Sequence, residues 1–247
     1  MIVVDGLVKA FGKRREIRAV DGVTFTADDA AITGLLGPNG AGKTTVLRML
    51  ATLIPPDAGA ASIDGLDIVR ERRRLRDDIG VLSDARGLYA RLTARENVRY
   101  YGRLHGLGGA ALEARIDVLL GQLGLIALAD RRTQGFSQGE KMKVAIARAL
   151  VHDPATIMLD EPTSGLDVMS IRSLREQLFA LRAAGKCILL STHVMQEVAL
   201  LCDRIVILGH GRVQAAGTGA ELVARTGEAS LEDAFVSVLG SAEGLAA

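Results

Sequence analysis

The stretch from Ile32 to Pro56 limits what this chain can fold into more than any other. A strand-like run, Ile32–Leu36, leads straight into Gly37-Pro-Asn-Gly-Ala-Gly-Lys-Thr-Thr45, and Val46, Leu47, Leu50 and Ile54 then keep helical spacing up to Pro55-Pro56. Strand, glycine-rich loop and helix in that order match G-x-x-x-x-G-K-[ST] in the context the pattern requires. Gly40 and Gly42 let the backbone curl until its N–H groups converge on phosphate oxygens. A helix starting near Lys43 adds the positive end of its dipole at the same place. Lys43 offers a full charge to the β- and γ-phosphates, and the Thr44 hydroxyl is a hard ligand for Mg²⁺. The candidate phosphate-binding residues are therefore Gly37, Pro38, Asn39, Gly40, Ala41, Gly42, Lys43, Thr44 and Thr45.

The rest of the chain continues the alternation of short strands and amphipathic helices, which predicts a mainly parallel sheet covered by helices. Ile2–Val4, Val20–Thr26, Ala60–Ile63, Ile79–Leu82, Thr156–Leu159, Cys187–Leu190 and Ile205–Leu208 read as further strands. From about Thr93 to Ala129 the pattern is helical, with Tyr100, Leu104 and Leu107 on one face and Leu112, Ile116, Leu119 and Leu123 on another. It reads as a helical insertion in an α/β domain. Ile171, Leu174, Leu178 and Leu181 mark another helix, and Gly217 to Leu239 reads as two short ones. The whole reads as one domain over 1–239, with a helical subdomain at about 86–153 and a tail at 240–247.

Thr156–Leu159 ends in Asp160-Glu161-Pro162. A carboxylate at the C-terminal end of a parallel strand lies at the ligand-binding edge of the sheet. Asp160 there can hold a Mg²⁺ shell, and Glu161, one residue on, can orient or deprotonate an attacking water.

The composition excludes several alternatives. The chain has 247 residues, long enough to bury roughly 70–75% of its unfolded surface without disulfides or metal. With 30 Lys+Arg against 29 Asp+Glu, it carries no charge excess that would draw nucleic acid. The basic run Arg70-Glu-Arg-Arg-Arg-Leu-Arg76 has no interleaved aromatics and reads as a solvated helix face. No apolar run approaches the ~20 residues of a membrane span, and no signal-peptide pattern is expected at the N-terminus. Cys187 and Cys202 lack metal spacing and read as core residues. His105, His152 and His210 have no partner legible in the sequence.

Taken together, these segments resemble the ATP-binding cassette (ABC) ATPases over nearly the whole chain. Gly37–Thr45 is similar to the Walker A motif and Thr156–Asp160 to Walker B. Phe136-Ser-Gln-Gly-Glu140 resembles the signature motif, Ser164-Gly-Leu-Asp167 the D-loop, and Ser191-Thr-His193 the switch-histidine segment. The resemblance implies a P-loop NTPase fold, with a RecA-like α/β core, an N-terminal antiparallel β part and a helical insertion. It implies ATP and Mg²⁺ as cofactors, with Glu161 and His193 catalytic. Phe11 would stack on adenine, and Ser137, Gly139 and Asp167 would reach nucleotide across a paired cassette.

Two motifs depart from the family pattern. Gln138 and Glu140 replace the usual glycine and glutamine of the signature. Asp84 stands where the Q-loop glutamine belongs and is a candidate metal ligand beside Thr44 and Asp160. Gly87 to Asn97, Gly135 to Glu140 and His193 to Glu197 narrow the resemblance to exporter cassettes encoded apart from their membrane subunit, most similar to sodium-extrusion ATPases. The expected partners are an integral membrane permease and a second cassette, as a homodimer or a pair, with no nucleic acid. The expected location is the cytoplasmic face of the membrane. Docking is expected near Asp84 to Thr93, with Arg86, Tyr89 and Arg91 exposed. A drug or lipid exporter ATPase, a soluble non-transport ABC ATPase and a non-hydrolysing scaffold are the rival readings.

Overall fold

The computed structural model describes residues 1–12, 16–83 and 87–240. Asp84 and Arg86, expected at the metal and the docking surface, lie outside the described residues, as does the tail from 241. In chain order the elements are β1 (Ile2–Phe11), β2 (Ile17–Ala27), β3 (Ile32–Leu36), α1 (Lys43–Leu50), β4 (Ala58–Ile63), β5 (Leu66–Asp67), α2 (Arg72–Asp78) and β6 (Ile79–Leu82). The helices α3 (Ala94–Leu104), α4 (Gly109–Gln122) and α5 (Gln138–Leu150) follow. Then come β7 (Thr156–Asp160), α6 (Val168–Ala183), β8 (Cys187–Thr192), α7 (Met195–Leu201), β9 (Arg204–Gly209), β10 (Arg212–Gly217), α8 (Gly219–Thr226) and α9 (Leu231–Leu239).

The strands divide between two sheets. One is antiparallel, in the order β2-β1-β4-β5; the other runs β10-β9-β3-β8-β7-β6, parallel except for β10. Every residue of β3 and β8 is buried, as strands covered on both faces must be. Helix α1 lies between the sheets: Val46, Leu47, Met49 and Leu50 share a core with Ile2, Leu7 and Val23 on one side and Met158, Leu189 and Val206 on the other. A second core joins the opposite face of the parallel sheet to α3, α4, α5 and α6, and a third covers β9 and β10 with α7 and α9. This is the expected α/β architecture, with its antiparallel N-terminal part and helical insertion.

The structure corrects several details. Helix α1 stops at Leu50, well short of Pro55. Thr52 takes a left-handed conformation (φ 58), and the amides of Leu53 and Ile54 fold back onto the Arg48 carbonyl. β1 and β2 are much longer than expected because Gly6 and Gly22, at positive φ, absorb register shifts that would otherwise end the ladder. β5, β10 and α7 have no counterpart in the sequence reading. The face carrying Tyr100, Leu104 and Leu107 points outward, whereas Leu112, Ile116, Leu119 and Leu123 are buried. The inner face of α3 is Ala94, Val98 and Gly102, and a Cβ on Gly102 would meet Leu112 Cδ1 at 2.4 Å. His105 and His152, which had no legible partner, stack on each other with ring centroids 3.7 Å apart and planes 1° from parallel. Of the basic run, Arg72, Arg73 and Arg74 are exposed, while Arg76 donates to Thr52 Oγ1 at 2.8 Å.

Candidate nucleotide site

Strand order brings the chemistry together. β3 lies beside β8 and β8 beside β7, so the loop after β3, the acidic end of β7 and the Ser191-Thr192-His193 end of β8 share one edge. The loop from Gly37 to Gly42 is held from both flanks. Gly42, at φ 103, presses against β2, where a Cβ would lie 2.5 Å from the Ala19 carbonyl oxygen. A Cβ on Gly37 would lie 2.3 Å from the Leu208 carbonyl oxygen on β9. Ala41 O accepts from Gly211 N at 3.2 Å. Pro38 is half-buried, Asn39 and Gly40 are exposed, and Ala41 is buried.

Helix α1 starts at this loop without a side-chain cap and without an acidic residue in its first turn. By contrast, α3, α5 and α8 each begin with a reciprocal capping box. An uncapped N-terminus opening from a glycine loop presents free N–H groups to an anion. Lys43 is the matching cation. Its ammonium is buried and donates to the Gly37 carbonyl at 2.7 Å and the Pro38 carbonyl at 3.1 Å. Burial pulls its pKa down, against the upward pull of Glu161 and Asp160. A buried ammonium held by neutral carbonyls gains most from a full anion.

Thr44 Oγ1 donates to Asp160 Oδ1 at 3.2 Å, and Ser191 Oγ donates to the same oxygen. The oxygen set of Thr44 and Asp160 suits a small hard cation. Glu161 sits at φ 49, an uncommon conformation for a residue with a Cβ. Its N–H donates to Ser191 O at 3.1 Å. Its carboxylate meets His193, whose Nδ1 lies 2.9 Å from Glu161 Oε2, while Lys43 Nζ is 3.9 Å from Oε1.

Ser137 and Gly139 belong to another edge. Ser137 caps α5: its Oγ accepts from Glu140 N at 3.2 Å, and Glu140 Oε2 accepts from Ser137 N at 2.7 Å. Glu140, which departs from the usual signature glutamine, is therefore folded back on its own helix. The Ser137 hydroxyl proton stays free. A Cβ on Gly139 would lie 3.4 Å from Leu166 Cδ2, and one on Gly165 would lie 3.0 Å from Gln138 Cγ, so signature and D-loop form one surface within the chain. Asp167 is exposed there and caps α6 through Ser170, whose N–H holds its carboxyl below the usual range. Phe11 stands at the far end of β1, exposed, with Lys9 Nζ 5.9 Å from its ring centroid. Thr45 is half-buried on α1. Ser191 entered the sequence reading only as the first residue of the switch-histidine segment and not as a site residue, yet its hydroxyl donates to Asp160.

The ABC transporter family model matches residues 20–164. The chain belongs to that family. It is 45% identical to the ABC transporter ATP-binding protein NatA of Bacillus subtilis (strain 168), over 81% of this chain and 82% of that one. It is 38% identical to the daunorubicin resistance ATP-binding protein DrrA3 of Streptomyces coeruleorubidus, over 92% and 71%. Among solved structures it superimposes on an ATP-binding subunit of an ABC transporter with TM-score 0.89, at 32% identity over 97% of this chain and all of the other. It also matches a dimeric bacterial ABC transporter cassette, TM-score 0.81 at 28% identity, covering 88% and 98%. ABC ATPases bind and hydrolyse ATP. No helix among the described residues is long and apolar enough to cross a membrane.

Proposed function

We propose that this chain is the ATP-hydrolysing subunit of an exporter and powers a separate membrane permease. The carrying observation is the Glu161 carboxylate, held between His193 Nδ1 and Lys43 Nζ beside Asp160. In this reading the loop from Gly37 to Thr45 and Lys43 take the triphosphate, and Phe11 takes the adenine. Thr44 and Asp160 would hold Mg²⁺, which when bound would offset phosphate charge. Glu161 orients water and accepts its proton. His193 keeps Glu161 in place and contacts the γ-phosphate. Ser137 and Gly139 of a second cassette close the site, and Asp167 reports across the interface.

The permease would dock, at the cytoplasmic membrane face, over a cavity of about 260 Å³ lined by Arg76, Ser83, Tyr101, His105, Arg148 and His152. Exposed Tyr89 and Tyr100, edge to face at 5.1 Å, stand beside it, with Arg91 exposed nearby. The resemblance of Gly135 to Glu140 and His193 to Glu197 to sodium-extrusion ATPases favours sodium ions as the exported substrate; the match to a daunorubicin resistance protein favours a drug as the second reading. The test is Glu161→Gln in a steady-state ATPase assay. Turnover should fall roughly 10²–10⁴-fold with nucleotide binding kept. An unchanged rate would remove Glu161 from the reaction.

A further inference from the structure

Glu197 on α7 is a buried carboxylate, 8% exposed, with no part in the chemistry above. Its Oε2 accepts a hydrogen bond from the Thr163 hydroxyl at 2.6 Å, and Thr163 is equally buried. The charged groups around it are Glu161, His193 and Arg175. A leucine there would be buried at no cost, whereas a carboxyl is kept only against desolvation.

Thr163 belongs to the turn that follows the strained residue. The Glu161 carbonyl accepts from Ser164 N at 3.1 Å, the Thr163 carbonyl from Leu166 N at 3.0 Å, and Asp167 then caps α6. The segment 191–197 grips this turn at three points: Ser191 at the Glu161 N–H, His193 at the Glu161 carboxylate and Glu197 at the Thr163 hydroxyl. A residue at φ 49 persists only where its surroundings over-determine it. Removing the third grip frees the turn to relax.

We infer that Glu197 is a positioning residue that locks the 161–166 turn to α7 through Thr163, so that Glu161 and the edge bearing Asp167 move with His193 as one body. This rests on the ATPase reading above. Burial and the nearby charge of Glu161 push the Glu197 pKa up, consistent with a group that acts by hydrogen bonding rather than by charge.

The test measures kcat and KM for ATP in the full chain carrying Glu197→Ala, Glu197→Gln, Thr163→Val and the Ala/Val double substitution, with melting curves for each. Glu197→Ala should lower kcat roughly 10- to 100-fold, the usual cost of a misplaced catalytic group, with KM held within about twofold because the phosphate loop is untouched. Glu197→Gln keeps an acceptor for the Thr163 hydroxyl and should restore most of the rate. Thr163→Val should reproduce the loss, and the double variant should be no worse than either single one. Wild-type turnover in Glu197→Ala, equal losses in Gln and Ala, or multiplying losses in the double variant would each overturn the inference. Should Glu197→Ala not fold, Glu197→Gln and Thr163→Val decide alone. A wild-type chain without ATPase activity overturns the underlying reading, and this one with it.

Discussion

Lys43 shows what a single residue is asked to do. Its ammonium is buried and donates to its own loop carbonyls, which hold the side chain over the loop, with the Glu161 carboxylate 3.9 Å away. Charge-assisted bonds to phosphate are about twice as strong as those to neutral carbonyls. Lys43→Ala should therefore weaken ATP binding roughly 100-fold or more in calorimetric titration, and near-normal affinity would remove the phosphate-loop role. Glu140 makes a different point. Its carboxylate completes the α5 capping box, so Glu140→Ala should cost about 1 kcal/mol, read as a melting temperature lowered by roughly 2–4 °C. Both residues were visible in the sequence. The phosphate loop declared its role through spacing alone, whereas Glu140 read as a departure from a motif until Ser137-x-x-Glu140 was seen to close on itself.

At the scale of elements, the seam between the helical insertion and the parallel sheet carries the stacked His105–His152 pair. His152 Nε2 bonds the Ile79 carbonyl at 3.1 Å, and the buried Nδ1 of each ring has no hydrogen-bond partner among the described residues. Burial, then the neighbouring His105, pushes the His152 pKa down to about 4, against Asp153 and Asp77, and burial lowers His105 too. The unfolded chain takes up a proton near pH 6.5, while the folded chain resists it until about 4. Stability is therefore full above pH 6.5 and is lost as pH falls toward 4. After discounting for solvent screening the effect is of order 1–2 kcal/mol. Melting curves should show this pH dependence flattened in His152→Gln; identical slopes would remove the pair as its source.

The sequence could not show this pairing, because 47 positions and two elements separate the rings. How α3 packs was hidden for a related reason. Periodicity found the apolar stripe of Tyr100, Leu104 and Leu107, but the helix packs through small residues, Ala94 and Gly102, where closeness of approach counts for more than side-chain size. Strands β3, β7 and β8 were legible because each is built around a short apolar run. β5 and β10 were not, being short or alternating at a sheet edge.

For the whole molecule, the two halves of the proposed site lie on different surfaces. The phosphate loop with Asp160 and Glu161 forms one, and exposed Ser137 and Asp167, over buried Gly139, form the other. One chain carries both surfaces, so in the proposed arrangement two copies placed head to tail would complete two sites. ATP would then bridge the copies, and its hydrolysis would release them, a two-state switch biased by nucleotide. The dimeric state of a related cassette supports this arrangement. The central claim is that each catalytic site is shared between two cassettes. Its most direct measurement is the solution mass of Glu161→Gln by light scattering with saturating ATP and Mg²⁺. The account predicts a shift from monomer to dimer that Ser137→Glu abolishes, because a carboxylate there meets the terminal phosphate. A monomer under those conditions, or a dimer indifferent to Ser137, would contradict it.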